Sequence, residues 1–415
     1  MEKGVFKKDP EDKMNHPEDK MNRPEDKMDH REKFHAKTLK GLEHLLADEL
    51  QSLGAEKTEV LNRGVDFYGG RAMMYRVNVA SRLTLRVLLP VLQFRAEDPD
   101  TLYKKVKGYD WSIHLDNKMT FAIDPVVYSP VFRNSQYVAM KVKDAIADRF
   151  REHTGLRPSV NREHPDLLIN VHISDRRVTV SLDSSGDSLH RRGYRTGTFE
   201  APLNEVLAAG MVLATGWKGD RPFIDPMCGS GTIAIEAALI AAGIPPGIFR
   251  NRYGFENWKD FDRDLMERVA EKLPREKKVT VPIIAWDNNP EAVRLAREQI
   301  RRMELDHLVE VEEKDFAGSS GPSGGATIVM NPPYGERMDP GNIDTFYRMI
   351  GTTLKHSFPG SDAWVLSSSR KALRQIGLKP EKKMVLYNGS LECLYVNFKT
   401  FTGTWKQHKT PGTGG

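Results

Sequence analysis

The sequence predicts an α/β protein in which a doubly wound parallel sheet follows a mixed α+β module. The main observation is the pattern of residues 223–232, which predicts a short buried strand, a glycine-rich turn and the start of an apolar helix. That succession is typical of the nucleotide-binding corner of a doubly wound sheet. The second observation is the alternation of helical and strand periodicity between residues 34 and 183, which indicates a separate α+β module.

Length and composition set the outer bounds. A chain of 415 residues is long enough for two or three domains, and a net charge of +5 permits a nucleic-acid partner without requiring one. The two cysteines, Cys228 and Cys393, suggest neither a disulfide framework nor a zinc site, so we expect no metal and a reducing compartment. The apolar runs are too short to span a bilayer and the N-terminus lacks a signal-peptide core. We therefore expect a cytoplasmic protein that makes no contact with membranes.

The N-terminus contains a seven-residue repeat in residues 10–30, with copies that begin at Pro10, Pro17 and Pro24. A proline in every copy opposes a continuous helix, and one methionine per copy is too little apolar surface for a coiled coil. We expect residues 1–33 to form a disordered arm that is dispensable for chemistry, with partner binding as the alternative.

Hydrophobic periodicity assigns the elements of the α+β module. Helices are predicted over 38–53, 71–80, 100–109 and 134–153, strands over 63–68, 82–91 and 119–125, and a hairpin over 167–174 and 177–183. Basic side chains decorate this module, and they fit either a solvated face or an RNA-facing surface. They are Arg133, Lys141, Lys143, Arg149, Arg151, Arg157, Arg162, Arg176 and Arg177.

A compact cationic segment follows at residues 188–197. Arg191, Arg192 and Arg195 lie around the aromatic residue Tyr194. Arginines can hold phosphates and an exposed ring can stack on a base, so we take these four residues as candidate RNA-binding residues. The alternative is a plain interdomain linker.

The glycine-rich turn predicts a ligand other than a dinucleotide. Glycine permits a sharp turn, and the helix that follows presents free N–H groups and a positive dipole end. The dinucleotide fingerprint needs three glycines, whereas only Gly229 and Gly231 fit it here. Asp225, just before the turn, would repel a pyrophosphate but suits a cationic amino-acid group. A strand–turn–helix without any ligand is the alternative.

Two further aspartates follow predicted strands. Asp287 ends the second strand, where a carboxylate can accept both hydroxyl hydrogens of a ribose. Asp287 lies 62 residues (287 − 225) after Asp225, whereas the typical separation between the first motif and the ribose-binding acid is about 20 residues. We attribute the additional residues to an inserted helical segment at 244–275. A helix N-cap role for Asp287 is compatible with ribose binding. Asp315 ends the third strand and is a candidate contact of an adenine amine, or else a plain turn aspartate.

The fourth strand, residues 327–330, leads into Asn331, Pro332, Pro333 and Tyr334. Two prolines stiffen this loop, which would hold the asparagine side chain and the backbone carbonyls in fixed directions. An exocyclic purine amine is a poor nucleophile, and the Asn331 oxygen and the Pro332 carbonyl are suited to accept its two hydrogens. Tyr334 would stack on the extruded base. We expect alignment and charge stabilisation, without a metal or a covalent intermediate.

These stretches resemble known sequences. D-P-M-C-G-S-G at 225–231 resembles motif I of class I S-adenosylmethionine-dependent methyltransferases. N-P-P-Y-G-E-R at 331–337, with residues 191–195 and the markers at 34–43 and 178–186, resembles the RlmL-type family. These are bacterial THUMP-domain enzymes that methylate the guanine N2 amine in large-subunit ribosomal RNA. The repeat arm has no counterpart in the family, and no second methyltransferase domain follows the first here, so a second modification is not expected.

The resemblance implies a fold, a domain plan and a cofactor. It implies a Rossmann-like seven-stranded methyltransferase domain preceded by ferredoxin-like and THUMP modules, with S-adenosylmethionine as cofactor. The implied segments are an arm at 1–33, a ferredoxin-like subdomain at 34–100, a THUMP domain at 101–187, a basic linker at 188–203, the methyltransferase domain at 204–402 and a tail at 403–415. The candidate cofactor residues are Asp225, Pro226, Cys228, Gly229, Gly231, Thr232, Asp287, Asn288, Asp315 and Asn331. Asn331 to Tyr334 are the candidate catalytic residues.

Other functions stay open at this point. Transfer RNA instead of 23S ribosomal RNA is the nearest alternative substrate, and an adenine-N6 DNA enzyme is less favoured because nothing resembles a reader of duplex sequence. A nicotinamide oxidoreductase would share the sheet but leaves Asn331 to Tyr334 unexplained. A non-catalytic RNA-binding assembly factor would not need that tetrapeptide.

Overall fold

The computed structural model describes residues 31–195, 203–333 and 340–401, and these form two compact units. The first contains the described part of Met1–Thr38 together with Leu46–Leu189 and Gly247–Leu273. The second contains Leu39–Leu45, His190–Pro246 and the described part of Pro274–Gly415. Residues 1–30 of the expected arm and the tail at 403–415 lie outside the described residues. Residues 32 and 33 were also expected to belong to the disordered arm, but they begin a β-strand, so that boundary was wrong.

An eight-stranded sheet forms the first unit. Its strands are β1 (Glu32–Lys37), β2 (Thr58–Leu61), β3 (Gly64–Gly69), β4 (Arg86–Arg95), β5 (Thr120–Tyr128), β6 (Ser159–Val160), β7 (Leu167–Ser174) and β8 (Arg177–Asp183), in the order β2-β3-β1-β4-β8-β7-β5-β6. The described helices of the chain are α1 (Glu43–Ser52), α2 (Arg71–Ala80), α3 (Pro99–Lys107), α4 (Ser135–Thr154), α5 (Glu205–Thr215), α6 (Thr232–Ala241), α7 (Arg263–Glu271), α8 (Pro290–Arg302), α9 (Pro340–Ser357) and α10 (Arg370–Gln375).

Local sequence explains most of the boundaries in the first unit. Helix α4 starts where the Asn134 side chain accepts a hydrogen bond from the Tyr137 N–H, and it ends at Gly155 with φ of 72°. The predicted hairpin is confirmed as β7 and β8, which turn at Asp175 with φ of 55°. Helix α2 also coincides with its prediction.

Several predicted boundaries in the first unit were wrong. Helix α1 begins at Glu43 instead of residue 38, because residues 32–37 form the unpredicted strand β1 and a turn follows it. The strand expected over 82–91 is displaced to Arg86–Arg95. Strand β2 was missed because it is short and largely exposed, so it has little hydrophobic periodicity.

The second unit contains a seven-stranded sheet. Its strands are β9 (Phe223–Asp225), β10 (Ile283–Asp287), β11 (Val309–Glu313), β12 (Thr327–Met330), β13 (Asp362–Ser367), β14 (Pro380–Asn388) and β15 (Leu391–Lys399), in the order β11-β10-β9-β12-β13-β15-β14. Strands β9 to β13 pair in parallel, whereas β15 pairs antiparallel with β13 and β14. The chain moves outward from β9 to β11 and resumes on the other side at β12. The sheet therefore has its topological switch point between β9 and β12.

Residues 244–275 were expected to be an inserted helical segment. The structure gives them two short 3-10 turns, at Pro246–Phe249 and Gly254–Asn257, before helix α7. Residues 247–273 belong to the first unit, where the Phe255 ring lies 4.5 Å from the Tyr75 ring. The helix prediction thus holds for only part of this segment. Across the described ranges, no helix combines the length and apolar character that crossing a membrane requires.

Candidate active site

Sheet register brings the predicted strand-end residues to one edge. Strands β9, β10 and β12 pair in parallel around Ile224, and neighbouring strands lie about 4.8 Å apart. Asp225 and Asp287 end β9 and β10, and Asn331 directly follows β12. All three residues therefore lie at the carboxyl edge, beside the switch point where doubly wound sheets bind ligands.

The turn after β9 depends on its two glycines. Gly229 has φ of 52° and Gly231 has φ of 81°, values in the left-handed region that favours glycine. A Cβ atom on Gly231 would lie 3.1 Å from the Ala296 Cβ atom on α8. Gly231 is also the N-cap of α6 and has no side chain to cap its first turn. The amides of that turn are therefore suited to a ligand.

Asp287 connects the second strand to this turn. One carboxylate oxygen accepts a hydrogen bond from the Gly229 N–H at 2.9 Å, and the other accepts from the Asn289 N–H at 3.0 Å. The N-cap of α8 is Asn289, so the N-cap role considered for Asp287 is corrected. The carboxylate is half-buried and has lone pairs left for the hydroxyl groups of a ribose.

Asp225 is fully buried, and its two carboxylate oxygens find no hydrogen-bond partner with normal geometry among the described residues. Burial raises the pKa of Asp225 well above 3.8, the charge of Asp287 raises it further, and the nearby backbone N–H groups of Met227 and Ala234 act in the opposite direction. A buried acid without a partner is costly unless a cation pairs with it. This site therefore suits a ligand that carries an ammonium group.

The remaining predicted turn residues play varied parts. Cys228 is buried, and burial raises the pKa of its thiol well above 9.0, so the thiol stays protonated and does not suit nucleophilic catalysis. Pro226 and Thr232 are buried, whereas Asn288 is exposed. The Thr232 hydroxyl oxygen lies 3.4 Å from the Ser230 hydroxyl oxygen.

Asn331 is half-buried, and its side-chain oxygen is buried without a hydrogen-bond partner in the part of the chain that the structure describes. Pro332 is buried and Pro333 is half-buried. Tyr334 lies outside the described residues. A buried amide oxygen that lacks a donor is prepared to accept a hydrogen from an amine.

Asp315 lies just beyond the end of β11. Its carboxylate accepts a hydrogen bond from the Ala317 N–H at 3.0 Å and caps a 3-10 turn, and the residue is exposed. The neighbouring Lys314 ammonium lies 4.2 Å from the centre of the Trp286 ring. The turn role is therefore real, and the adenine contact stays a prediction.

The cationic segment requires a correction. The Arg192 side chain is 1% exposed, and its Nε donates to Glu236 at 3.2 Å. Tyr194 is completely buried, and Arg195 donates to Glu205 at 2.6 Å. Arg192 and Tyr194 are therefore inaccessible to RNA, and the Arg195 guanidinium is engaged by Glu205 and the Leu203 carbonyl. The expectation that these three residues hold phosphate and stack a base was wrong. Arg191 is exposed.

The two glutamates are functional candidates that the sequence analysis missed. Glu205 opens α5 and Glu236 lies within α6, and both helices are otherwise strongly apolar. A lone acid in an apolar helix is rarely buried unless a cation pairs with it. That pattern could have been used to predict that Arg192 and Arg195 pair with these buried glutamates.

The residues present fit S-adenosylmethionine. Asp225 could pair with the ammonium group of the cofactor and Asp287 with its ribose hydroxyl groups. A Cβ atom on Gly229 would meet no atom within 4 Å, so the backbone there is open to a ligand. The strand order, the switch point and this residue set together define a class I S-adenosylmethionine-dependent methyltransferase.

Comparison with known proteins gives the family. Residues 192–397 match the RMKL-like methyltransferase domain, residues 96–183 match the THUMP domain, and residues 33–88 match the RlmL ferredoxin-like domain. A putative RNA methyltransferase of Synechocystis is 35% identical over 89% of this chain and 97% of its own length. The chain belongs to the RlmL-type family of THUMP-domain RNA methyltransferases, and it uses S-adenosylmethionine.

The chain is also similar to a curated ribosomal RNA methyltransferase and to a solved methyltransferase structure. A ribosomal RNA large subunit methyltransferase K/L of Syntrophotalea carbinolica is 41% identical over 88% of this chain but 53% of its own length. The chain thus spans about half the length of the K/L relatives it matches. A crystal structure of SMU.472, a putative methyltransferase complexed with SAH, has a TM-score of 0.81 and 28% identity, and covers 90% of this chain and 99% of its own.

Proposed function

We propose that this protein transfers a methyl group from S-adenosylmethionine to the N2 amine of a guanine in 23S ribosomal RNA. The observation that carries the amine site is the buried Asn331 side-chain oxygen, which finds no donor among the described residues and lies at the switch-point edge. The similarity to ribosomal RNA large subunit methyltransferases K/L supports large-subunit ribosomal RNA as the substrate. The choice of the guanine N2 amine as the methylated atom is what the resemblance to the RlmL-type family implies.

The chemistry follows from alignment. The bound cofactor supplies a methyl group on a positively charged sulfur. The Asn331 oxygen and the Pro332 carbonyl accept the two amine hydrogens, which turns the nitrogen lone pair toward the methyl group and stabilises positive charge on the nitrogen. The N–CH3 bond forms as the S–CH3 bond breaks, and the methylated amine then releases one of its two hydrogens to solvent as a proton, so that the products are N2-methylguanine and S-adenosylhomocysteine. Tyr334 stacks on the extruded base in this proposal. A protonated Cys228 is consistent with direct transfer and no covalent intermediate.

The domain plan is part of the proposal. We assign residues 34–100 to a ferredoxin-like subdomain, 101–187 to the THUMP domain, 188–203 to a linker and 204–402 to the methyltransferase domain. The first two domains would hold RNA through their basic surface. The expected compartment is the cytoplasm, where ribosomal RNA would be modified.

Nucleoside analysis tests the substrate. Ribosomal and transfer RNA from cells that lack this protein are digested and compared by mass spectrometry with RNA from complemented cells. We expect N2-methylguanosine to fall in 23S RNA and to return with the wild-type protein but not with Asn331→Ala. A loss confined to transfer RNA would select the transfer-RNA alternative. Unchanged RNA in all fractions would favour a non-catalytic assembly factor.

Arg191 is exposed, in contrast to Arg192 and Tyr194, so it can be used to test whether this segment contacts RNA. Arg191→Ala is expected to weaken RNA binding and to lower the slope of log K against log salt by about 0.7, the value for one phosphate contact on a single strand. Fluorescence anisotropy at salt concentrations from about 50 to about 200 mM measures the slope. Arg370→Ala, an exposed arginine paired with Glu392, is the control. An unchanged slope would return residues 188–195 to a purely structural role.

A further inference from the structure

Residues 192–195, which precede helix α5 in the chain, contact helix α6. The Arg192 Nε donates to Glu236 at 3.2 Å, and an Arg195 Nη atom lies 3.5 Å from the Thr232 hydroxyl oxygen. Thr232 and Glu236 are four residues apart, so they lie on one face of the helix. Two arginines of one short segment therefore contact successive turns of α6.

Arg195 also reaches a second helix. Its Nε donates to Glu205 at 2.6 Å, and an Nη atom donates to the Leu203 carbonyl at 2.6 Å. Glu205 is the first residue of α5 and has a side chain only 3% exposed. One planar guanidinium thus joins the start of α5 to the start of α6, a geometry that suits the rigid fork of arginine and not lysine.

The start of α6 is where the glycine turn ends. Thr232 directly follows Gly231, and the Gly231 N–H donates to the Cys228 carbonyl at 2.8 Å within the turn. At the other side of the turn, Asp287 accepts from the Gly229 N–H. The turn is therefore held near its middle by Asp287 and at its end by the contact between Arg195 and Thr232.

We propose that Arg195 is a positioning residue that sets the geometry of the cofactor turn, with the pair of Arg192 and Glu236 anchoring the same segment one helical turn further on. A ligand bound by backbone amides requires these amides within about 0.5 Å of the productive geometry. Arg195 acts through its contact with Thr232 and not through a contact with the cofactor. The proposal rests on the assignment of S-adenosylmethionine to this turn.

Three variants test it with S-adenosylhomocysteine (SAH) as the probe. Arg195→Lys keeps the charge but cannot bond Glu205, Leu203 and Thr232 together. We expect its dissociation constant for SAH to rise about tenfold, with KM for the cofactor raised and kcat at saturation little changed. Glu205→Gln keeps an oxygen at the same place and should give a smaller loss in the same direction. Arg370→Lys, in the exposed pair with Glu392, is the matched control and should bind as wild type does.

Hydrogen exchange separates positioning from general stability. Amides of residues 228–232 should exchange faster in Arg195→Lys and Glu205→Gln than in wild type, while the amides of β13 and β15 keep their protection. A folded Arg195→Lys that binds SAH as wild type does, with unchanged exchange in the turn, would overturn the proposal. So would faster exchange spread evenly over the whole sheet. Failure of the wild-type protein to bind SAH would instead refute the cofactor assignment, before any variant is compared.

Discussion

Replacing Asn331 by alanine is expected to reduce methyl transfer by about a hundred- to a thousandfold and to leave SAH affinity nearly unchanged. The reason is that the side-chain oxygen makes no hydrogen bond within the described structure, so its removal costs the resting protein little. Its acceptor role would be needed only when an amine is bound and positive charge develops on the nitrogen. The measurements are methyl transfer at saturating cofactor and calorimetry with SAH.

Asn331→Asp is the matched control for this prediction. Aspartate keeps an acceptor oxygen on a side chain of the same shape, so it should retain more activity than alanine. Full activity in Asn331→Ala would refute the amine-site assignment. A parallel loss of activity and SAH affinity would instead place Asn331 in the cofactor site.

The sheet and its strand-end residues were predictable because their signals are local. Asp225, Asp287 and Asn331 each follow a short apolar run, and parallel strands bring such ends to one edge. Strand order then follows from alternating strands and helices. The family resemblance added the identity of the cofactor.

The burial of residues 192–195 in the cationic segment could not be predicted from local sequence. The sequence shows that Arg192 and Arg195 are charged, but the acids that pair with them, Glu236 and Glu205, lie 44 and 10 residues further along the chain (236 − 192 and 205 − 195). Burial of an ion pair is decided by tertiary packing. Similarly, nothing local indicates that residues 247–273 belong to the first unit.

Asp225→Asn is expected to stabilise the cofactor-free protein at neutral pH while weakening SAH binding by about 10- to 100-fold. The buried carboxylate has a raised pKa, chiefly because of burial. An acid whose pKa is raised by folding favours the folded state at a pH below its unfolded value of 3.8, and this contribution is lost as the pH rises through the folded pKa. Asparagine removes this loss. It also removes the negative partner of the ligand ammonium group, a charged hydrogen bond worth about 1.5–3 kcal/mol.

Thermal unfolding and calorimetry at several pH values measure both effects. Without ligand, the wild-type protein should lose stability relative to Asp225→Asn as the pH rises above 3.8, and saturating SAH should reverse that loss. Asp220→Asn, an exposed carboxylate in the turn before β9, is the matched control and should follow the wild type.

The pH dependence of binding separates this account from a general defect. SAH pairs with ionised Asp225, so its affinity for the wild-type protein should fall by up to about tenfold per pH unit below the pKa of Asp225 in the free protein. In Asp225→Asn the affinity should be weak and independent of that ionisation. If the variant kept the wild-type pH profile, another group would hold the ammonium. If it were less stable than wild type at neutral pH, the carboxylate would already have a partner, and the buried, unpaired acid on which the cofactor fit depends would not exist.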